Sequence, residues 1–206
     1  MEALRVGQHA LLVECASDAQ VAATYAMVLA RAGELGATDV VPAARSVLLD
    51  GLADVAAALT LLAGLTAPLA EESAHVGHPE GLVVQLPTSY DGPDLDEVAR
   101  QWDVTTAEVV ALHRRTTFVV TFCGFAPGFA YCSGLPDGLD VARRSEPRAS
   151  VRPGSVGLAG AYTGVYPSSS PGGWQLIGTT TATLWRPDAD QPALLTPGTR
   201  VRFVDG

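Results

Sequence analysis

The N-terminal part of the chain combines short apolar runs, typical of strands, with longer stretches in which apolar residues recur at helical spacing. Ser17 with Gln20 forms the capping-box pattern that starts a helix, and Gly36 marks a helix end. The pattern predicts strands over 10–15, 38–42, 46–50 and 82–87, and helices over 18–34 and 53–64. Because strands and helices alternate, we expect a ferredoxin-like α/β sandwich.

The C-terminal part has a different pattern. An N-capping residue three positions before a glutamate occurs twice, at Asp94 and at Thr105, which predicts two consecutive short helices. The second is predicted over 105–115, with His113 in its last turn. Residues 117–206 are rich in Val, Thr, Gly and Pro, and short β-like runs alternate there with turn signals. This pattern is typical of a closed or nearly closed antiparallel barrel.

The two patterns predict an α+β chain of two domains, a ferredoxin-like α/β sandwich over 1–81 and an antiparallel β-barrel over 82–206. The segment 66–80 is rich in Glu, Pro and Gly and is the expected linker. It contains His75 and His78 at HxxH spacing. A linker explains these histidines better than a metal site does, so we expect no metal site.

Charge and composition narrow the possible functions. The 22 acidic and 13 basic residues give a net charge of −9, which argues against nucleic acid or an anionic membrane as the main partner. All basic residues are Arg, which excludes a Walker A lysine and a lysine nucleophile. Three cysteines without CxxC spacing fit a reducing compartment. No apolar run reaches the roughly 20 residues of a membrane span, and the N-terminal residues do not resemble a signal peptide, so we expect a cytoplasmic protein.

Four arginines lie close together in this acidic chain, namely Arg143, Arg144, Arg148 and Arg152. Two interpretations remain open. The cluster is either a solvated basic loop or an anion site, because the guanidinium fork matches the geometry of carboxylate and phosphate groups.

Two Pro-Gly turns lie near aromatic residues. The run GFAPGFAY at 124–131 places Pro127 and a glycine at the centre of a turn, where Pro presets φ and Gly accepts a positive φ. The run PGGWQ at 171–175 repeats this chemistry before an aromatic and a polar side chain. We expect the two turns to form two lips of one cleft. The aromatic residues expected to pack on a second subunit are Phe125, Phe129 and Trp174.

Four segments carry a resemblance to a known family. They occur in the order GPDLDEVA, EVVALHRRTTFVVTFCGFAPGFAYCSGLP, EPRASVRPGSVGLAGAYTGVYPSSSPGGWQLIGTT and LLTPGTRVRF. Together they resemble the family that includes the 5-oxoprolinase subunit designated B, allophanate hydrolase subunit 1 and the sporulation-kinase inhibitor KipI. The resemblance runs from about residue 83 to the last residue and implies a cyclophilin-like barrel for this part.

The resemblance also implies site residues. The family's helix histidine corresponds to His113 and the arginine of its EPR motif to Arg148, which makes these two the candidate catalytic residues. A His there would act as general base or as an electrophile toward a lactam carbonyl. The candidate substrate- or nucleotide-binding residues are Thr163, Tyr166, Gln175, Gly124 and Pro127. Cys123 and Cys132 stand where relatives have apolar residues, so a cysteine nucleophile is not expected.

The implied activity is that of the small subunit of an ATP-dependent 5-oxoprolinase, which hydrolyses 5-oxo-L-proline to L-glutamate. ATP with Mg²⁺ is expected to bind together with a second, larger subunit that shares the active site, and a third lactam-utilisation subunit is a further possible partner. The alternatives are a KipI-like histidine-kinase inhibitor or interaction module, an allophanate hydrolase subunit, and a urea carboxylase-type carboxyltransferase subunit. A prolyl isomerase is suggested by the fold alone.

Overall fold

The computed structural model describes residues 2–65 and 83–206. The chain divides into two compact units, Met1–His78 and Pro79–Gly206, which we describe separately. The predicted linker with its two histidines, and the predicted domain boundary after residue 81, lie outside the described residues. Within the described ranges, no helix has the length and apolar character needed to cross a bilayer.

The first unit is a four-stranded antiparallel sheet with three helices. Its elements are β1 (Glu2–Val6), β2 (Ala10–Glu14), α1 (Asp18–Leu29), α2 (Ala32–Leu35), β3 (Asp39–Pro42), β4 (Ser46–Asp50) and α3 (Val55–Ala63). The strand order is β1-β2-β4-β3, and every neighbouring pair is antiparallel. The succession β2-α1-β3-β4-α3 follows the βαββα order of a ferredoxin-like sandwich, and β1 adds the edge strand beside β2.

Local signals explain most of the boundaries in this unit. The Ser17 hydroxyl accepts a hydrogen bond from the backbone N–H of Gln20, as the capping pattern predicts. The predicted helix over 18–34 is interrupted, because α1 ends at Leu29 and a short second helix ends at Gly36, whose φ of 70° is left-handed. The sequence pattern missed β1, since four of its five residues are exposed and it has no apolar alternation.

The second unit is a closed barrel with two helices. Its elements are β5 (Val83–Ser89), α4 (Leu95–Trp102), α5 (Thr106–Arg115), β6 (Phe118–Cys123), β7 (Ala130–Ser133), β8 (Arg148–Val151), β9 (Ser155–Ala159), β10 (Tyr162–Val165), β11 (Ser170–Gly172), β12 (Gln175–Thr180) and β13 (Arg200–Asp205). The barrel order is β10-β7-β6-β13-β5-β12-β9, and β10 pairs with β9 to close it. Strands β8 and β11 form a separate two-stranded ribbon.

The structure confirms the predicted α+β class of a sandwich followed by a barrel, and corrects one detail of the barrel. The strand predicted at 82–87 is β5, which pairs with β12 and β13 within the predicted barrel range. The barrel is not purely antiparallel, because β5 and β13 run parallel, with Val83 opposite Arg200 and Thr88 opposite Asp205. Parallel strands need a long connection, and here α4 and α5 form part of it.

A close backbone approach positions the start of α4. Gly92 donates its N–H to the Ile177 carbonyl at 3.2 Å, and Asp94 donates its N–H to the Leu176 carbonyl at 2.9 Å. A Cβ at Gly92 would collide with the backbone of β12, so only glycine allows this contact. The segment before α4 therefore lies against β12, and the Asp94 side chain is carried into the space beside that strand.

Candidate functional site

The predicted site residues occupy three places in the barrel unit. His113 and Thr163 contact each other inside the barrel. Arg148 and Gln175 lie beside the first turn of α4. Tyr166 belongs to an aromatic cluster, and Gly124 and Pro127 lie in the neighbouring turn after β6.

A buried carboxylate organises the second place. Asp94 is 5% exposed, and its Oδ1 accepts hydrogen bonds from Arg148 Nη2 at 2.8 Å and from Arg144 Nη1 at 3.1 Å. Its Oδ2 accepts from the backbone N–H of Leu176 at 2.6 Å. Charge-assisted bonds of this kind are stronger than neutral ones. Asp94 therefore fixes two guanidinium groups of the arginine cluster against β12.

This geometry corrects the sequence interpretation of Asp94. The residue holds the N-cap position of α4, as predicted, but its side chain makes no capping hydrogen bond. Its carboxylate instead accepts hydrogen bonds from the two arginines and from the backbone of β12. A carboxylate at a cap position and an arginine cluster elsewhere were both visible in the sequence. Nothing in their spacing indicated that they meet.

A polar cleft of about 640 Å³ opens beside this carboxylate. Its wall on one side is α4 with the two residues before it, and on the other side the loop that carries Arg143 and Arg144. Arg144 is the more exposed partner of Asp94, with 36% of its side chain accessible against 22% for Arg148. The cleft therefore presents Arg143 and Arg144 to a ligand, whereas Arg148 is not among its lining residues.

Gln175 also lines this cleft, and it is 4% exposed. Its Nε2 donates to the Ala142 carbonyl at 3.0 Å, but its Oε1 is buried without a hydrogen-bond partner within the described part of the chain. Arg148 Nη1 is in the same position, a buried donor that lacks a partner there. Unsatisfied buried polar atoms are uncommon and costly. Of these two atoms only Gln175 Oε1 belongs to a residue that lines the cleft, where it could accept a hydrogen bond from an N–H donor of a ligand.

His113 is enclosed by the barrel and both its ring nitrogens are engaged. It is fully buried, with Nδ1 2.8 Å from the Tyr90 hydroxyl and Nε2 2.9 Å from Thr163 Oγ1. Thr163 in turn donates to the Gly157 carbonyl at 3.3 Å. Because the Thr163 proton is used there, we assign the Nε2–H tautomer, in which Nδ1 accepts from Tyr90. The predicted catalytic role of His113 stays a prediction.

Burial also fixes the charge state of this histidine. Desolvation lowers the pKa of His113 from 6.5 to about 3, since no counter-charge compensates it. The ring packs against Phe118 and Phe203, with centroid distances of 4.9 and 4.4 Å. The imidazole is therefore neutral at physiological pH and behaves as part of the barrel core.

The aromatic cluster lies between the two predicted turns. The Phe129 ring meets Tyr166 and Trp174 edge-on, at centroid distances of 5.3 Å for both pairs. Phe129 is 1% exposed and Trp174 is 4% exposed, so these two rings are not available to a partner. The prediction that these aromatic residues pack on a second subunit is therefore wrong for Phe129 and Trp174. Of the three residues only Phe125 is exposed, with 62% of its surface accessible.

The cluster adjoins the cleft through Trp174, which directly precedes the cleft residue Gln175. Next to it, Arg144 of the cleft donates its backbone N–H to the Gly173 carbonyl at 2.8 Å. Phe125 stands at a ring-centroid distance of 6.4 Å from Tyr166. Cleft, arginine and aromatic cluster thus form one continuous region of the barrel unit.

The thiols near this region are protonated at neutral pH. Burial raises the pKa of Cys123 to about 11 and also raises that of Cys132, which is fully buried. Only a thiolate is an effective nucleophile. The geometry thus agrees with the expectation that neither cysteine acts as one.

Sequence comparison identifies named relatives. The chain is 47% identical over 136 residues to the 5-oxoprolinase subunit designated B of Escherichia coli O157:H7, a match that covers 65% of this chain and 62% of the relative. It is 46% identical over 125 residues to the protein of the same name from Bacillus subtilis strain 168, covering 59% of this chain and 52% of that protein. The matches therefore span little more than half of the length of these relatives.

Structural comparison extends the similarity over both units. The crystal structure of TTHA0988 matches with a TM-score of 0.76 and 34% identity, covering 96% of this chain and 40% of that one. Urea carboxylase of Kluyveromyces lactis matches with a TM-score of 0.69 and 19% identity, covering 99% of this chain and 21% of that one, and so shares the fold. The family described as "Carboxyltransferase domain, subdomain C and D" matches residues 1–195. This chain belongs to that carboxyltransferase subdomain C and D family.

Proposed function

We propose that this chain acts in the small subunit of an ATP-dependent 5-oxoprolinase, which opens 5-oxo-L-proline to L-glutamate together with a second, larger subunit. The observation that carries the proposal is the cleft in which Asp94 fixes Arg144 beside the unsatisfied Oε1 of Gln175. Two relatives with more than 45% identity are named as a subunit of 5-oxoprolinase.

The cleft suits the functional groups of 5-oxoproline. The substrate carries a carboxylate, which Arg143 and Arg144 would bind, and a lactam N–H, which Gln175 Oε1 would accept. Arg148 would act indirectly. Because it also binds Asp94, Arg144 is not the only group that neutralises this carboxylate and can face a ligand. Under this proposal Arg148 positions the site, and Arg144 contacts the substrate.

A lactam is a resonance-stabilised amide and needs activation before water can open it. Transfer of the γ-phosphoryl group of ATP to the lactam oxygen would activate the carbonyl carbon, and such a transfer depends on positioning and charge neutralisation. A first water would then add to this carbon and the C–N bond would break, releasing the protonated amine and leaving an acyl phosphate. A second water would hydrolyse the acyl phosphate to the carboxylate of glutamate and free phosphate. The arginines of this cleft would hold the substrate anion and neutralise developing charge. In the described residues, no group of three or more His, Cys, Asp or Glu side chains could hold a metal ion. Under the proposal Mg²⁺ would enter with ATP, because Mg²⁺ is held mainly by substrate phosphates, waters and one or two carboxylates.

The test is a reconstituted reaction. The chain is co-expressed with the larger subunit, and with the lactam-utilisation protein where the pair alone is inactive, and glutamate release from 5-oxoproline is followed with and without ATP. ATP-dependent release that needs both subunits supports the proposal. A stable complex without any release, which instead inhibits a histidine kinase, would favour the interaction module.

Two arginine substitutions separate substrate binding from positioning. Arg144→Lys should raise KM for 5-oxoproline by about tenfold or more, because an ammonium cannot reproduce the bidentate fork, and should leave the melting temperature nearly unchanged. Arg148→Lys should lower the melting temperature, since Arg148 is the less exposed partner of Asp94. Exposed Arg152→Lys is the matched control and should change neither quantity. An Arg144→Lys enzyme with wild-type KM would remove Arg144 from the site.

A further inference from the structure

The loop between β7 and β8 that presents the two cleft arginines is held by its backbone. Val141 exchanges two backbone hydrogen bonds with Gly160, at 3.0 and 2.7 Å. Three residues further on, Arg144 donates its N–H to the Gly173 carbonyl at 2.8 Å. Ala142 lies between these two anchors and is exposed to solvent. Packing therefore contributes little to the position of this part of the loop, which depends on hydrogen bonds instead.

Two glutamine side chains from different elements bind Ala142. Gln101 Oε1, on α4, accepts the N–H of Ala142 at 2.7 Å. Gln175 Nε2, on β12, donates to the carbonyl of the same residue at 3.0 Å. Both glutamines line the cleft. Because Arg143 directly follows Ala142, these two hydrogen bonds fix the peptide that leads into the first cleft arginine.

The side chain of Gln101 is itself held in one orientation. Its Nε2 donates to Glu97 Oε1, one turn earlier on α4, at 2.8 Å. The amide oxygen is then the atom that faces the N–H of Ala142, as a backbone donor requires. The helix below is well anchored, because Trp102 is buried in the core of the barrel unit and Asp94 binds the backbone of β12. Gln101 therefore ties the exposed loop to a fixed helix.

We propose that Gln101 is a positioning residue for substrate binding, which holds the loop backbone so that Arg143 and Arg144 face the anionic group of the substrate. This inference rests on the proposed function, because it takes 5-oxoproline as the ligand of the cleft. Gln101 acts through the arginines, since its amide oxygen is engaged by Ala142 and its amide nitrogen by Glu97. Binding groups that are fixed before the ligand arrives lose less conformational freedom on binding, which raises affinity.

The test is Gln101→Met, which removes the acceptor and keeps an unbranched side chain that favours a helix. Exchange of the Ala142 amide with deuterium, followed by NMR on the chain without substrate, should become about fivefold faster, as expected for loss of one hydrogen bond. In the reconstituted complex KM for 5-oxoproline should rise by about three- to tenfold, because the competent loop conformation is less populated. KM for ATP should stay close to that of the wild type. A role in stability alone would lower the melting temperature without changing KM for 5-oxoproline.

Two further variants serve as control and rescue. Gln191→Met makes the same change at an exposed position of the barrel unit that does not line the cleft, and should change none of these quantities. The double variant Glu97→Gln with Gln101→Glu keeps the net charge and still offers an acceptor oxygen to Ala142. It should return KM for 5-oxoproline to within about twofold of the wild-type value.

The outcomes distinguish this inference from the proposed function. Faster exchange of Ala142 in Gln101→Met with a wild-type KM overturns the positioning role and leaves the proposed function standing. Unchanged exchange overturns the restraint of the loop by Gln101, whatever the activity. A double variant as impaired as Gln101→Met also contradicts the inference, because the acceptor oxygen would then not be the decisive property. A wild-type complex that never opens 5-oxoproline overturns the proposed function, and with it the role of Gln101 in binding this substrate.

Discussion

Replacing Asp94 by Asn should destabilise the barrel unit by on the order of 3 kcal/mol and should raise KM for the proposed substrate by at least about tenfold. The buried carboxylate accepts from two guanidinium groups and from the backbone of β12. An amide can keep the backbone bond but cannot balance two positive charges. Removing one partner of a buried ion pair leaves the other charged group without compensation.

The measurement can be made specific to the barrel. All three tryptophans, Trp102, Trp174 and Trp185, belong to residues 83–206, so fluorescence-detected urea unfolding reports this unit. Asp96→Asn is the control, because it removes the same charge from the same cleft. Unlike Asp94, Asp96 is exposed to solvent. Equal stabilities of the two variants would contradict the organising role of Asp94.

A second large effect is expected from His113 as pH falls. Its pKa is about 3 in the folded chain and 6.5 when exposed, so between these values the unfolded chain binds one more proton than the folded chain. Stability should therefore fall with decreasing pH in this window, by about 1.4 kcal/mol for each pH unit from this group alone. Above pH 6.5 both states carry the neutral ring, and the contribution is constant.

His113→Gln tests this linkage. Glutamine does not titrate, so the free energy of unfolding of the variant should depend less on pH than that of the wild type. At pH 7.5 the variant should be less stable by about 1–3 kcal/mol, because one hydrogen bond and the packing on Phe118 and Phe203 are lost. The gap should narrow toward pH 4. His113 is the only histidine among residues 83–206, so tryptophan fluorescence isolates its effect. Parallel pH curves would contradict a buried neutral imidazole.

The same variant decides the predicted catalytic role of His113. A general base or electrophile predicts a loss of 10²–10⁴ in turnover at pH 7.5, where both proteins are folded. A core histidine predicts turnover within a few-fold of wild type in the reconstituted complex. Measuring turnover and unfolding on one preparation separates the two roles.

Local patterns predicted the elements better than the contacts between them. The capping pair at Thr105 and the Pro-Gly turn at Pro127 are both present in the structure, because each depends on residues that are neighbours in the chain. The pairing of β5 with β13 was not predicted, since it joins distant segments and no periodicity encodes register between them.

The candidate site was only partly predictable for the same reason. The arginine cluster and Gln175 were singled out by residue type and resemblance, and the structure brings three of the four arginines, all but Arg152, to one region with Gln175. Asp94 was missed as a site residue because a cap position already explained it. His113 was selected by resemblance, but its burial depends on how α5 packs against β13, which the sequence pattern does not give.

The position of β13 has a consequence for how the barrel forms during synthesis. This strand lies between β5 and β6 and is the only described strand that joins them, so the barrel cannot close until Arg200–Asp205 has left the ribosome. The first unit needs no residue from that segment for its own sheet. We therefore expect folding to proceed in two stages, with the barrel strands exposed to chaperones until the final strand arrives.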